Sequence, residues 1–449
     1  MGVSATVVAR TVGIDTAFKN LNPNAALLLP QRVALIGQGT TAAVYATTPL
    51  IVTSAATVGS TYGFGSPLHL AALQLLPQNG DGLGTIPLTV YPLADSGTAA
   101  AGTIECTTLP TSVRTFSLVV NGIRSVDFTI DPASDSLIDV ATLIKTAVNA
   151  TLNTPVIGGT IAVAVLDLDL KWGGTSGNDT AVSILGELDG AVFAIVQPTA
   201  GATNPSVQPA LDQITSVWET QIVNCMELGD TTNLDLYDTW GEGRWDVLSK
   251  KPAAVHTGSA ETVVATNVAI GNGRKTDRTN TVAWSAGSTQ FPFQIAARAV
   301  ARIAVVANDN PARDYAGRGL TGITPGADSV QLTAAERDQS VKAGLSTTEV
   351  IDGVVTLSDT VMFHHPDGED PPAFRFLATI VKLQNLIYNL NLIFDSPEWN
   401  GAPLIPDIQA TTNPDARKPK DAKAAVNAML DSAGLLAIIS DPETAKLAT

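Results

Sequence analysis

The sequence predicts a multidomain α/β protein with four parts. These are a mostly parallel α/β core, an inserted β-rich (α+β) protruding domain, an α+β C-terminal domain and an extended N-terminal arm. Three observations lead there. Apolar strands alternate with amphipathic helices over residues 205–308, the rhythm of a parallel sheet with helices on its faces. Over residues 98–200 the texture changes to short alternating runs separated by turn residues, as antiparallel sheets require. Residues 1–22 carry no apolar face that could form a core of its own.

Composition frames the rest. The 449 residues carry 26 Lys and Arg against 42 Asp and Glu, a net charge of −16, and 45% are hydrophobic. That apolar fraction excludes wholesale disorder, and the acidic balance argues against binding nucleic acid or anionic lipid. Only 15% of residues are charged, below the about 25% of ordinary soluble domains, which points to surface given over to partner subunits. Cys106 and Cys225 are the only thiols, with no CxxC spacing, so a reducing compartment and no disulfide framework are expected. Residues 33–80 contain no Asp, Glu, Lys or Arg, yet Gly, Thr and Pro interrupt them before about 20 continuous apolar residues accumulate. Residues 1–10 lack the basic segment and apolar core of a secretory leader. No membrane insertion is expected.

Taken in order, Thr6, Val7, Val8, Ala9, Arg10, Thr11, Val12, Gly13 and Ile14 read as a strand-like arm, followed by a turn-rich linker at 20–24. Such an arm is ordered only when something pairs with it, and an extended segment can add to the sheet edge of another chain. Residues 32–37 form a compact apolar strand. Ser66 is placed to cap a helix with Pro67 at its first position, and Leu68, Ala71, Ala72 and Leu75 then share one face. Residues 86–91 make a second core strand.

Asn121-Gly122, between alternating runs at 115–120 and 124–130, predicts a type I′ hairpin. Asp135 or Ser136 caps a helix carrying Leu137, Val140, Ile144 and Val148. Residues 161–170 and 191–196 read as further strands, the first with Asp167 and Asp169 on one solvated face. The core resumes with a helix over 205–218, on which Leu211, Ile214 and Trp218 align. Strands at 221–225, 253–256 and 281–285 then alternate with helices at 231–248, 260–270 and 292–308. The strands at 32–37 and 86–91 join that sheet, which makes the core discontinuous in sequence. A hairpin around Asp352-Gly353, a long amphipathic helix over 374–394, a loop over 407–420 and a helix over 421–433 complete the C-terminal part. The expected boundaries are 1–22 for the arm, 23–97 with 201–344 for the core, 98–200 for the protruding domain and 345–449 for the C-terminal domain.

Little in the chain invites chemistry. Gly37-Gln-Gly39-Thr-Thr-Ala42 follows a strand and matches G-x-G-x-x-A. A dinucleotide site would open a helix there and place an acidic residue about 20 positions on. The next acid is Asp81 and the following residues are poor helix formers, so a Gly-rich turn is expected. An α/β enzyme or nucleotide-binding protein using the Gly37–Ala42 turn is the alternative. No Walker A lysine motif, HExxH or G-x-S-x-G occurs. His256 ends a strand and reads as a core or rim histidine. His364, His365, Asp367, Glu369 and Asp370 could hold a divalent cation, but Pro366, Gly368, Pro371 and Pro372 give the segment the composition of an exposed loop. No catalytic residue, cofactor or metal is therefore assigned. Arg417, Lys418, Lys420 and Lys423 concentrate positive charge, either on a solvated loop or against an acidic neighbour.

The run Val7-Val-Ala-Arg-Thr-Val-Gly-Ile14, then Phe18-Lys-Asn-Leu21 and Leu29-Pro-Gln-Arg-Val-Ala-Leu-Ile-Gly-Gln-Gly39, resembles tail sheath proteins of contractile bacteriophages, especially the Mu-like branch. Gly63-Phe-Gly-Ser-Pro-Leu-His-Leu70 is similar to the family's first helix start, and Tyr91-Pro-Leu-Ala-Asp95 to its entry into the protruding insertion. Arg313-Asp-Tyr315, Leu320-Thr-Gly-Ile323, Leu332-Thr-Ala-Ala-Glu-Arg337 and Gly344-Leu-Ser-Thr-Thr-Glu-Val350 resemble its run into the C-terminal domain. The order of these motifs, over nearly the whole chain, is the specific part.

The resemblance implies a structural, non-enzymatic subunit that polymerises as stacked hexameric rings around an inner tail tube. It implies baseplate and tail terminator proteins as further partners, a place in the virion tail and assembly in the host bacterial cytoplasm. It also implies that arms of one subunit complete a β-sheet on its neighbours while the sheath contracts. Family members continue past a helix like 421–433 into a C-terminal arm strand. The resemblance puts that strand either beyond Thr449 or, shortened, at residues 435–439.

Overall fold

The computed structural model describes residues 26–369 and 373–449; the expected arm at 6–14, and Asp370, Pro371 and Pro372, lie outside the described residues. One compact unit runs from Leu28 to Ile387, and a second joins the residues up to Leu27 to Tyr388–Thr449.

The larger unit opens with β1 (Val33–Gln38), β2 (Leu50–Val52), α1 (Ala55–Tyr62), α2 (Pro67–Leu75) and β3 (Leu88–Leu93). The chain then builds β4 (Ala99–Thr108), β5 (Arg114–Val120), β6 (Ile123–Arg124), β7 (Phe128–Ile130), α3 (Leu137–Ala150), β8 (Val156–Ala162), β9 (Val165–Gly173), β10 (Val182–Leu185) and β11 (Val192–Thr199). It continues through α4 (Gln208–Leu211), β12 (Gln221–Asn224), α5 (Thr231–Trp245), β13 (Ala254–Ser259), α6 (Val264–Asn272), β14 (Asn280–Trp284) and α7 (Pro292–Asp309). Then come α8 (Ala334–Lys342), β15 (Thr347–Ile351), β16 (Val354–Asp359) and α9 (Leu377–Phe394).

The result is mixed α/β, with a mostly parallel eight-stranded sheet ordered β16-β15-β14-β13-β12-β1-β3-β2. Only the marginal pairs, β2 with β3 and β15 with β16, run antiparallel. β1, β3, β12, β13 and β14 are buried at every position, as a parallel sheet covered on both faces demands. The central helix α7 packs on β12, β13, β14 and α2. Ala296, Ala297, Val300, Ala301 and Ala304 serve one hydrophobic cluster, and Ile295, Ala299, Ile303 and Ala307 a second. Small residues on both faces let the helix approach its neighbours closely.

Residues 99–199 form separate antiparallel sheets, β11-β4-β9-β8 and β10-β5-β6 with β7 beside β5. Their ends lie side by side: Thr98 N–H donates to the Ala202 carbonyl at 2.8 Å and Ala202 N–H to the Thr98 carbonyl at 3.1 Å. The Asn121-Gly122 turn has φ of 47° and 79°, and the Asp352-Gly353 turn 50° and 77°, the left-handed pair that a type I′ hairpin needs. Ser66 caps α2 as expected. Ser136 caps α3 in a capping box with Asp139.

Three expectations are corrected. The strand at 161–170 is instead the hairpin β8–β9, reversed at Val163 and Ala164 with φ of 62° and 128°, a turn without Gly or Asn to announce it. The helix at 205–218 shrinks to α4: Leu211 and Ile214 are buried as their spacing implied, but Trp218 turns its Nε1–H to the Pro252 carbonyl at 2.8 Å. Residues 435–439 form the end of a helix and a turn, not a strand.

The smaller unit holds the end of α9, then α10 (Pro419–Leu435) and α11 (Pro442–Leu447). Within it Ala26 N–H donates to Ser432 Oγ at 2.8 Å, and the Asn389 amide brackets Leu27, accepting its N–H at 2.6 Å and donating to its carbonyl at 2.9 Å. Among the described residues no helix is long and apolar enough to cross a membrane.

Candidate functional site

In an open parallel sheet a ligand crevice forms beyond the strands' carboxyl ends, where strand order reverses. Here the reversal is at β1, between β3 and β12, so the Gly37–Ala42 turn sits where a nucleotide would bind. Three consecutive amides of it are already used. Gly39 N–H donates to Tyr45 Oη, Thr40 N–H to the Tyr62 carbonyl and Thr41 N–H to the Lys171 carbonyl, each at 2.8 Å. A Cβ on Gly39 would stand 2.4 Å from the Tyr45 ring, so this glycine admits a tyrosine rather than a phosphate. No helix follows Ala42.

The end of β9 fills the remaining space. The Asp95 carboxylate accepts from Gln38 Nε2 (2.7 Å), Gly173 N–H (3.0 Å) and Thr41 Oγ1 (2.6 Å). The fully buried Trp172 packs edge-on against Phe291 and Phe293, at 5.5 and 6.3 Å between centroids. The alternative reading, a nucleotide on this turn, is thereby corrected: the Gly39, Thr40 and Thr41 amides are spent on the fold and no helix opens after the turn. Sequence reasoning missed Asp95 and Trp172 as the plug; the one signal was an acid placed just after a core strand.

The other candidates are consumed by the fold. His256 is buried, its Nε2 2.7 Å from Gln221 Oε1, and burial pushes its pKa down to about 3. His364 Nδ1 lies 3.2 Å from the Thr276 carbonyl and its Nε2 3.7 Å from Glu369. Asp367 is paired with Lys275 at 2.7 Å. Among the described residues no group of three or more His, Cys, Asp or Glu could hold a metal. Asp167 and Asp169 share one face of β9, where burial and then the Asp167 charge raise the Asp169 pKa; this is a solvated sheet face. Lys418 Nζ donates to the Gln409 carbonyl at 2.7 Å and Arg417 to the Pro414 carbonyl at 3.2 Å, so both hold their own loop.

What remains is surface. One margin of the large sheet, β16, is covered by the chain's own residues, through Leu320 N–H to the Val355 carbonyl and Gly317 N–H to the Leu357 carbonyl. The other margin is the three-residue β2, which exposes Leu50 and Ile51. Val44, Val163 and Leu248 in the larger unit, and Leu404, Ile408, Leu435 and Leu447 in the smaller, are also strongly exposed.

No family model matches the chain. A curated relative, the Mu-like prophage FluMu tail sheath protein of Haemophilus influenzae, is 29% identical over 167 residues, 35% of this chain. The match spans about a third (34%) of that relative's length. Among solved structures, the sheath tail protein of Desulfitobacterium hafniense superposes over 94% of this chain and 89% of its own, with 12% identity and a TM-score of 0.46. That of Listeria innocua superposes over 92% and 86%, with 12% identity and a TM-score of 0.47. A chain of the anti-feeding prophage baseplate covers 96% and 85%, at 9% identity and 0.43. Superpositions this loose carry no weight by themselves.

Proposed function

We propose that this chain, a tail sheath protein of the Mu-like kind, polymerises as stacked hexameric rings around an inner tail tube and contracts to drive that tube through a host envelope. A tail sheath protein is a structural protein and not an enzyme. The observation that carries the reading is the sequence match to a curated tail sheath protein, together with the order of sheath-like motifs along the chain. The plugged crevice at β1 and the exposed apolar side chains are consistent with it. Baseplate and tail terminator proteins are the further partners, and the subunit assembles in the bacterial cytoplasm before joining the virion.

In this proposal residues 6–14 form the arm that adds to a neighbour's sheet, and residues 98–200 protrude from a core made of 23–97 and 201–344, with 345–449 as the C-terminal domain. Strand addition suits a machine whose subunits rotate, because backbone hydrogen bonds between subunits persist while side-chain interfaces exchange. Contraction then releases energy stored in the extended lattice and needs no nucleotide hydrolysis.

Negative-stain electron microscopy of the purified protein at several concentrations tests the reading. Hollow tubes or stacked sixfold rings are expected. Small uniform particles at every concentration, with tube protein present, would overturn it.

A further inference from the structure

A groove of about 460 Å³ lies within the smaller unit, lined in part by Phe394, Trp399, Leu404, Pro406, Pro419 and Ala422. Phe394 ends α9, and Pro419 and Ala422 belong to the first turn of α10. Its walls are preformed. Phe394 and Trp399 meet edge to face at 5.4 Å between centroids. The segment carrying Leu404 is tied by Ile405 N–H to the Arg417 carbonyl at 3.1 Å and by Arg417 N–H to the Pro403 carbonyl at 3.0 Å. Yet Phe394 is 39% exposed and Leu404 77%. An aromatic and aliphatic slot left open to water gains free energy from any apolar side chain that covers it.

The start of the described chain is aimed at this groove. Leu29 N–H donates to Asn385 Oδ1 at 2.8 Å and Leu27 N–H to Asn389 Oδ1 at 2.6 Å. Read backwards, two residues of chain advance by four positions of α9, about 6 Å, which is the pace of nearly extended backbone. Ala26 N–H then donates to Ser432 Oγ on α10 at 2.8 Å. Phe394 lies about 7.5 Å beyond Asn389 in the same direction along α9, and Ala422 lies about 15 Å back along α10 from Ser432. Residues 1–25 lie outside the described residues. Going back from Ala26, the first large apolar side chains in the sequence are Leu21 and Phe18. At about 3.3 Å per residue they reach up to about 17 and 26 Å from Ala26, enough to enter the groove and to span it.

We propose that residues 18–21 of the same chain occupy this groove, with Leu21 and Phe18 as the apolar anchors. A segment tethered a few residues away is present at about millimolar effective concentration, ahead of any free partner. The seating does not depend on the sheath reading, and it would give the proposed arm at 6–14 a fixed point of departure.

Cysteine cross-linking of unassembled subunits tests it, because Cys106 and Cys225 are both buried. Leu21→Cys paired with Leu404→Cys is oxidised at low protein concentration. A disulfide within one subunit is expected, forming at least about tenfold faster than between Leu21→Cys and Leu447→Cys. Leu447 is 86% exposed and stands near the other end of α10, where Lys446 pairs with Asp431. A ¹⁹F spectrum of 5-fluorotryptophan-labelled protein gives a second reading, with Trp399→Phe assigning one signal among the six tryptophans. Phe18→Ser combined with Leu21→Ser is expected to move the Trp399 signal at unchanged circular dichroism. Disulfide-linked dimers in place of the intramolecular product would seat a second copy's segment in the groove and overturn the proposal. So would equal rates at Leu404 and Leu447, or a Trp399 signal indifferent to the double substitution. Both readings are made on unassembled subunits and stand whether or not sheaths form.

Discussion

Asp238 on α5 shows how charge is placed inside this subunit. It faces Asp277, whose carboxylate accepts from Arg274 Nε, the Thr279 and Asn280 N–H groups (2.9 Å each) and Asn280 Nδ2 at 2.8 Å. Those four donors fix the Asp277 carboxylate in place beside Asp238. Burial first, then that neighbouring charge, pushes the Asp238 pKa up to about 7. A folded-state pKa above the unfolded value of about 3.9 means the folded protein holds a proton that the unfolded chain releases. This contribution to stability is therefore complete at low pH and lost as pH rises through about 7. Thermal unfolding should show the wild type weakening from about pH 5 to about pH 8, while Asp238→Asn is flatter and more stable at the upper end. Equal slopes would remove Asp238 from the account. Ala164 makes a second point at this scale. Its φ of 128° lies where side chains crowd the backbone, so Ala164→Gly should raise stability by about 1 kcal/mol in denaturant titrations.

At the scale of elements, agreement between sequence and structure follows local chemistry. Helix α3 appears where Ser136 and Asp139 cap it reciprocally and where Val140, Ile144 and Val148 recur on one face. Ser136→Ala should cost about 1 kcal/mol, read as a lower denaturant midpoint with unchanged slope; no loss would mean Asp135 takes over the cap. The hairpins at Asn121-Gly122 and Asp352-Gly353 were equally readable, because both residue pairs tolerate positive φ. The failures share one cause. Residues 205–218 have helical spacing, but Arg244 reaches the carbonyls of Thr215 and Val217 at 2.9 and 3.0 Å, taking acceptors that a continuing helix would use. The β8–β9 reversal lacks turn residues and is imposed by pairing, with Ala162 set against Val165.

For the whole molecule, the proposed arm is expected to govern assembly. Deleting residues 1–16 should leave subunits with unchanged circular dichroism and unfolding temperature, because the deleted segment has no core of its own. Those subunits should fail to form stable sheaths under the microscope. Normal sheaths from the deletion would sink the arm assignment, while loss of the folded subunit would show that the segment belongs to the core. The described chain starts on the smaller unit, tied by Ala26 to Ser432 and by Leu27 to Asn389.

Sequence alone was enough for the α/β class, the strand order's main participants, the hairpin turns, the helix caps and the likeness to tail sheaths. These depend on hydrophobic period, on backbone preference and on motif order, all of which are local or linear. The fate of the Gly37–Ala42 turn was not local. Its amides are taken by Tyr45, Tyr62 and Lys171, and its crevice is closed through Asp95 and Gly173. Those partners come from up to 135 positions away, and only folding brings them together.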